Sequence, residues 1–311
     1  VTINYVITDE EEVVKLMIKK PYLLEMGKGK LSKMFKCTPD DIVKAKRDAR
    51  EFTRKTPKIL IFDLETAPMA AYVWGRWNQN INLEATISEW YVLCWSAKWL
   101  YSNDVMSDRL TSEEAINEDD SRIIKNLWNL INEADIVIAH NAKQADVKWM
   151  NSRFILCGLA PPKPYHIIDT LEVAKKNFGF SSNKLDALAG YFGIEHKLET
   201  NFKLWKDARN GDEDSLKYME FYNKMDVEIL EQVYIVLRPW IKNHPNCGNL
   251  LSSTEPLCSI CSSKKLELIP DKYYYTSIGK YELYRCKDCG SISRGRVNLN
   301  KGINNIVAVG R

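Results

Sequence analysis

Two carboxylates stand close together at the end of an apolar run. Asp63 and Glu65 follow the apolar residues 59–62. Side chains at positions i and i+2 of a β-strand point to the same face of the sheet, so a strand here places both acids on one side. Such a pair can hold hard divalent cations, which prefer oxygen ligands. An Asp-x-Glu triplet alone is usually structural, but an uncompensated acid pair at the end of a buried strand is costly, which favours a functional role.

A tyrosine and a third acid are spaced for one face of a helix. Tyr222 and Asp226 are four positions apart in a segment that we predict to be helical from about residue 215 into the 230s. A tyrosine hydroxyl beside a metal-binding carboxylate can orient an attacking water or help to deprotonate it. The alternative is a core aromatic whose hydroxyl meets solvent.

Four cysteines form two tight pairs near the end of the chain. Cys258 and Cys261 make one Cys-x-x-Cys pair, and Cys286 and Cys289 make the other. Their spacing is close to that of a zinc ribbon, in which four thiolates complete a tetrahedral shell. The sequence therefore predicts one structural Zn²⁺, and the tyrosine-rich stretch 272–285 between the pairs is typical of a β-hairpin. The basic and tyrosine residues of this module suit nucleic acid, although protein docking or a purely structural role stays open.

Three segments together resemble one family of nucleases. The segment 59–66, the segment 138–150 with Asp146, and the segment 222–227 are similar to the three motifs of the DEDD superfamily of RNase H-like 3′→5′ exonucleases, in its tyrosine subclass. Residues 169–170 and 184–189 resemble the connecting segment common in these proteins. The resemblance covers about residues 57–240. One departure is Ala145, where an aromatic residue commonly precedes the second-motif Asp.

The resemblance implies a metal-dependent hydrolase acting on phosphodiester bonds. Its expected catalytic and metal-binding residues are Asp63, Glu65, Asp146 and Asp226, with Tyr222 orienting a water. An all-oxygen ligand set fits two Mg²⁺ or Mn²⁺ ions and a two-metal mechanism. His140 and Asn141 resemble family positions near the substrate strand, but a His at the end of a buried strand is as often a core residue.

The order of predicted elements indicates an α/β fold. Apolar runs predict strands at residues 58–63, 91–100, 135–139 and 166–169, and helical periodicity predicts one long helix over 113–133, a helix around Trp149 and Phe154, and further helices at 171–177 and 185–192. This order favours a three-layer RNase H-like domain with a mixed sheet. We predict four parts: a helical module (1–56), the exonuclease domain (57–241), a linker (242–256) and the Cys₄ zinc ribbon (257–311).

The first module is predicted to resemble a helix-turn-helix over residues 31–52. Thr38 and Pro39 have the character of a helix start, and the helix that follows carries Lys44 and Arg47, which could reach phosphates. A plain helical lead-in is the alternative. Residues 1–56 hold 13 basic and 9 acidic residues, residues 251–311 hold 10 and 5, and residues 57–250 hold 21 and 27. Basic ends around an acidic middle suit a polyanion held beside metal-binding carboxylates.

Composition and charge set broader expectations. The sequence has the ordinary balance of 45% hydrophobic and 27% charged residues, with no apolar run of membrane-spanning length, so we expect a cytoplasmic protein. DNA is favoured over RNA as partner, with replication or repair proteins as further partners and a phage or mobile element as the setting. An exoribonuclease, a silent nucleic-acid-binding or polymerase-accessory module, and an RNase H-like integrase or endonuclease are the rival interpretations.

Overall fold

The computed structural model describes residues 10–20, 22–55, 57–194, 200–251 and 255–300. The helices are α1 (Glu10–Lys19), α2 (Tyr22–Glu25), α3 (Lys28–Phe35), α4 (Pro39–Lys55), α5 (Ser112–Ile116), α6 (Ser121–Glu133), α7 (Asp146–Leu156), α8 (Thr170–Asn177), α9 (Leu185–Tyr191), α10 (Phe202–Arg209) and α11 (Glu213–Leu237). The strands are β1 (Ile59–Thr66), β2 (Ala70–Ala71), β3 (Thr86–Ser88), β4 (Val92–Trp99), β5 (Met106–Arg109), β6 (Ile136–Ala139), β7 (His166–Asp169), β8 (Leu266–Tyr275), β9 (Lys280–Cys286) and β10 (Ile292–Arg294). The predicted α/β fold class is confirmed.

A mixed five-stranded sheet forms the centre of the molecule. Its strand order is β5-β4-β1-β6-β7. The β1 strand runs antiparallel to β4 and parallel to β6, and β6 pairs in parallel with β7. Because β1 is the third of the five strands, residues at its C-terminal end lie midway across the width of the sheet, between the edges formed by β5 and β7.

Alternate residues of β1 pack on opposite sides of this sheet. Leu60, Phe62 and Leu64 join a buried cluster with residues of α6 and α7. Ile59 and Ile61 join a second cluster with residues of α11. The two-residue period of the strand therefore directs the next odd-numbered side chains, Asp63 and Glu65, to the face that α11 covers.

The helices before the sheet have a core of their own. Leu31, Phe35 and Ile42 are fully buried in a cluster with residues of α1 and α2. The predicted helix start at Thr38 is confirmed: its hydroxyl accepts a hydrogen bond from the Asp41 N–H (3.2 Å), and the Asp41 carboxylate accepts one from the Thr38 N–H (2.9 Å). The predicted pair of helices thus corresponds to α3 and α4.

One predicted element was wrong. The long helix expected over residues 113–133 is two helices, α5 and α6, separated at Glu118, whose φ is +57°. The break is stabilised by Asp120, which accepts a hydrogen bond from the Val92 N–H (2.9 Å) and forms a buried ion pair with Arg153 (2.6 Å). Residues 117–122 at this turn are all polar or charged, and the apolar face that predicted the helix begins only at Ile123.

The region between the sheet domain and the cysteine pairs contains packed residues. Cys247 is fully buried in the cluster that covers β1 and α11, and its N–H donates to the Ser259 carbonyl (2.8 Å). Beyond it, β8, β9 and β10 form a three-stranded antiparallel sheet that contains the predicted hairpin. Parts of the predicted modules, residues 1–9, 21, 56, 195–199, 252–254 and 301–311, lie outside the described residues. Among the helices described, none combines the length and apolar character that crossing a bilayer requires.

Candidate active site

Three carboxylates meet where β1 faces α11. Asp63, Glu65 and Asp226 each place one carboxylate oxygen so that the three atoms lie within 4.8 Å of one another. Asp63 and Glu65 come from the α11-facing side of β1, and Asp226 comes from the sheet-facing side of α11, one position before the buried Val227. Three oxygens this close are a suitable ligand set for a hard divalent cation.

Two hydrogen-bond donors hold the strand carboxylates in place. The Asn223 side-chain amide donates to Asp63 (2.6 Å), and the Trp205 indole N–H donates to Glu65 (3.0 Å). Asn223 is fully buried, one helical turn before Asp226, so it reaches the same side of the sheet. Sequence reasoning missed both donors. The three-residue spacing of Asn223 and Asp226 was an available signal, whereas Trp205 lies on α10, which was not predicted.

Tyr222 is hydrogen-bonded to Asp226, the third carboxylate of the site. Its hydroxyl donates a hydrogen bond to Asp226, as the four-residue spacing on α11 allows. Burial raises the pKa of Tyr222, and the negative charge of Asp226 adds to the effect. The hydroxyl therefore keeps its proton at neutral pH.

Asp146 lies just outside the close trio. It is the first residue of α7 and only 5% exposed. Its pKa is raised to about 7, mainly by burial and to a smaller extent by the charge of Asp169, against an opposing backbone hydrogen bond. After burial, the charge of Asp146 is the largest cause that raises the pKa of Asp63. The four acids thus form one electrostatic group, although only three are within direct reach of a single ion.

The site gathers negative charge that requires compensation. Burial raises the pKa of Glu65 to about 8 against the opposing hydrogen bond from Trp205, and burial raises the pKa of Asp226 to about 7. The pKa of Asp63 is raised well above its usual range by burial and by its acidic neighbours. Carboxylates with raised pKa values in one small volume are the electrostatic signature expected where a cation binds.

Asp169 organises the loop that leads to Asp146. Its carboxylate accepts hydrogen bonds from the N–H groups of Asn141 (3.0 Å) and Lys143 (3.1 Å), and also from those of Leu171 and Glu172 at the start of α8. Asn141 has a φ of +72°, a conformation that asparagine tolerates better than most residues. One buried carboxylate therefore fixes the turn between β6 and α7.

Both ring nitrogens of His140 make hydrogen bonds within the protein. Nδ1 lies 2.9 Å from the Thr170 hydroxyl, and Nε2 lies 3.0 Å from the Asn183 carbonyl oxygen, so Nε2 is the donor. Burial lowers the pKa of His140. This arrangement favours the structural alternative for His140.

The basic residues of α4 differ in their surroundings. Lys44 is exposed. The side chain of Arg47 lies outside what the structure describes. Lys46 donates to the carbonyl oxygens of Leu24 (2.8 Å) and Met26, so it holds α2 and α4 together.

The four cysteines of the Cys-x-x-Cys pairs form a second cluster. Their sulfur atoms lie within 4.8 Å of one another, and Cys258 to Cys289 and Cys261 to Cys286 are each 3.6 Å apart. The two turns share one backbone form: the residue after the second cysteine, Ser262 in one and Gly290 in the other, has a positive φ of 61° and 75°. The side chains fit a tetrahedral zinc site.

Comparison with known proteins gives a family match over the middle of the chain. Residues 99–238 match the RNase_H superfamily model. The RNase H-like region includes Asp146, Tyr222 and Asp226, whereas Asp63 and Glu65 precede it. A comparison with curated proteins gave no match. Among solved structures, the chain is similar to a family B DNA polymerase from the hyperthermophilic archaeon Pyrobaculum calidifontis, with 12% identity and a TM-score of 0.42. That similarity covers 64% of this chain and 27% of the polymerase chain.

Proposed function

We propose that this protein is a metal-dependent 3′→5′ exonuclease that hydrolyses phosphodiester bonds of DNA. The observation that carries the proposal is the convergence of Asp63, Glu65 and Asp226 within 4.8 Å, with Tyr222 bonded to Asp226. The RNase H-like match over residues 99–238 supports the nuclease class. The DEDD assignment and the 3′→5′ direction rest on the resemblance of the three sequence motifs.

The donor set suits two Mg²⁺ or Mn²⁺ ions. Asp63 and Asp226 would hold one ion, and Asp63, with water-mediated help from Glu65 and Asp146, would hold the other. When bound, such ions activate water and stabilise the charge of the leaving oxygen. The raised pKa values of the carboxylates fit this role, because they mark negative charge that a cation would offset.

The protein's own side chains set the geometry. Asn223 and Trp205 fix the orientation of Asp63 and Glu65, so neither carboxylate has to be ordered when substrate arrives. The Tyr222 hydroxyl donates to Asp226, so it is placed to orient an attacking water by accepting a hydrogen bond from it. Asp169 holds the turn that presents Asp146.

The flanking modules would bind substrate and stabilise the chain. We propose that residues 1–56 and 257–311 are separate modules beside the catalytic domain of 57–241, and that 242–256 is the linker from that domain to the cysteine module. The cysteine cluster would hold one structural Zn²⁺, since a module this small gains much of its folding free energy from metal. Lys44, Arg47 and Asn141 remain proposed substrate contacts, whereas for His140, hydrogen-bonded within the protein at both ring nitrogens, we propose the structural role. The same chemistry acting on RNA is the alternative that substrate assays must decide.

The test is hydrolysis of single-stranded and double-stranded DNA and RNA with Mg²⁺ or Mn²⁺. We expect metal-dependent activity in the wild type and none in Asp63→Asn, which keeps the shape of the side chain but removes its charge. The matched control is Asp104→Asn, the same change at an exposed acid outside the cluster. Retention of more than a few per cent of activity in Asp63→Asn would refute the metal assignment.

A further inference from the structure

A short hairpin beside the candidate site exposes two indole rings to solvent. It comprises residues 70–88, with β2 and β3 as its arms, and we call it the indole hairpin. Trp74 is fully exposed and Trp77 is 84% exposed. Tyr72 and Leu83 are also largely exposed. Large apolar side chains gathered in solvent usually mark a binding surface.

The hairpin is anchored to the elements that carry the acids. Its arms pair through Ala70 with Ser88 and Ala71 with Thr86, only a few residues after Glu65. Arg209, the last residue of α10, donates to the Pro68 carbonyl and to the Ser88 hydroxyl at the base of the hairpin. The same helix carries Trp205, which donates to Glu65. A single helix thus fixes both the base of the hairpin and one of the acids.

An open groove lies between the hairpin base and α10. Its volume is about 440 Å³, and it is lined by Thr66, Pro68, Thr200, Asn201, Phe202 and Trp205. Phe202 is 69% exposed, so the groove has an aromatic wall accessible to ligand. Because Trp205 also contacts Glu65, a strand whose end reaches the acids can continue past this groove towards the hairpin.

The composition of the hairpin suits nucleic acid. The hairpin contains one basic residue, Arg76, and one acidic residue, Glu84, although the region 57–250 as a whole is net acidic. In the stretch that carries the two rings, residues 72–80, Arg76 is the one charged residue, so phosphates meet no repelling carboxylate there. Asn78, Gln79 and Asn80 follow Trp77 in the sequence; the Gln79 amide donates to the Trp77 carbonyl (2.7 Å), and the amides of Asn78 and Asn80 can hydrogen-bond to base edges. Aromatic faces with a cation and amides are the elements of single-strand binding surfaces.

We propose that the indole hairpin is a stacking platform for unpaired bases of the nucleic-acid substrate, with Trp74 and Trp77 supplying the ring faces. The assignment rests on the proposed function, because it gives the substrate of that same site a second point of contact. Stacking tolerates any base sequence, since every base has a flat aromatic face. The platform would therefore strengthen binding of a single-stranded end without selecting its sequence.

Two paired substitutions separate stacking from mere apolar contact. Trp74→Leu with Trp77→Leu keeps apolar bulk but removes the rings, whereas Trp74→Phe with Trp77→Phe keeps an aromatic face. Two substrates are compared: a single-stranded DNA oligonucleotide, and bis(p-nitrophenyl) phosphate, which reaches only the reaction centre. Thermal denaturation confirms that both variants are folded, as expected for exposed positions.

For the leucine pair, we expect kcat/KM on the oligonucleotide to fall about tenfold or more, mainly through KM, with turnover of the small ester unchanged. The phenylalanine pair should retain most of the wild-type value. A wild-type KM in the leucine pair, or an equal loss in both pairs, overturns the platform. So does a leucine pair that alters self-association while binding DNA normally, because the hairpin would then be a protein-docking surface.

The platform and the proposed function can fail separately. If the wild type hydrolyses neither substrate, the exonuclease proposal fails, and the platform is measured by fluorescence anisotropy of a labelled oligonucleotide. Weaker binding by the leucine pair than by the phenylalanine pair then supports it. Equal binding by both pairs and the wild type overturns it.

Discussion

Replacing Asp146 by Asn should stabilise the metal-free protein at alkaline pH. The pKa of Asp146 is about 7 in the folded chain, chiefly because of burial, against an ordinary value of 3.8. When folding raises the pKa of a carboxyl group, ionising that group destabilises the folded state relative to the unfolded state. Its unfavourable effect is therefore absent below about pH 4 and grows as the pH rises to about 7.

The size of the effect follows from this change in pKa. One pKa unit corresponds to about 1.4 kcal/mol, so the pKa change of Asp146 sets an upper limit of about 4 kcal/mol above pH 7. We expect roughly half of this for Asp146→Asn, because the buried amide that replaces the carboxyl group has a desolvation cost of its own and changes the backbone hydrogen bond. At pH 8 the gain is then about 2 kcal/mol in the free energy of unfolding, and it narrows as the pH approaches 4.

The assay is urea denaturation of protein dialysed free of Mg²⁺ and Mn²⁺, at a series of pH values. Glu114→Gln is a control of opposite sign, because the hydrogen bond from Arg122 lowers the pKa of Glu114 to about 2. That variant should lose stability at pH 8, and the loss should disappear as the pH falls through the range between the folded and unfolded pKa values. If Asp146→Asn is less stable than the wild type at pH 8, or if its gain does not change with pH, the electrostatic account of the site is wrong.

Three further predictions follow from the site and the cysteine cluster. Tyr222→Phe should lower turnover by roughly 10²–10⁴-fold with metal affinity nearly unchanged, whereas Asp226→Ala should lose both turnover and metal affinity. The two variants are compared by kinetics at saturating Mn²⁺ and by metal titration. A wild-type rate in Tyr222→Phe would show that the hydroxyl is not catalytic. Trp205→Phe removes the indole donor to Glu65 but keeps a ring, so kcat should fall about tenfold while the melting temperature changes little; an unchanged kcat would make that hydrogen bond irrelevant to catalysis. Elemental analysis should find about one zinc per chain, lost in Cys286→Ser, and a zinc-free but folded cysteine module would contradict this.

The sequence was most informative where local periodicity and chemistry agree. The apolar run before Asp63 predicted β1, and the alternation of its side chains placed Asp63 and Glu65 on one face. The four-residue spacing of Tyr222 and Asp226 likewise placed them on one face of a helix, where the structure has them hydrogen-bonded. These features depend only on the repeat of a strand or a helix, which is encoded within a few residues.

What escaped prediction depends on contacts between distant segments. The β5 strand is short and only half-buried, and its sequence, Met-Ser-Asp-Arg, has no apolar alternation. Trp205 reaches Glu65 because of where α10 packs, and nothing local to either residue indicates this. The indole hairpin escaped because tryptophans are expected in a core, whereas Trp74 and Trp77 lie in solvent.

The direction of digestion is the most direct test of the central claim. The wild-type enzyme with Mn²⁺ is given the same single-stranded DNA labelled at either its 5′ or its 3′ end, and early time points are separated on a sequencing gel. A 3′→5′ exonuclease releases the 3′ label at once as a mononucleotide and converts the 5′-labelled strand into a descending ladder. The account predicts this pattern, and predicts its absence in Asp63→Asn. Early release of the 5′ label as a mononucleotide, or internal fragments from both strands, would contradict it.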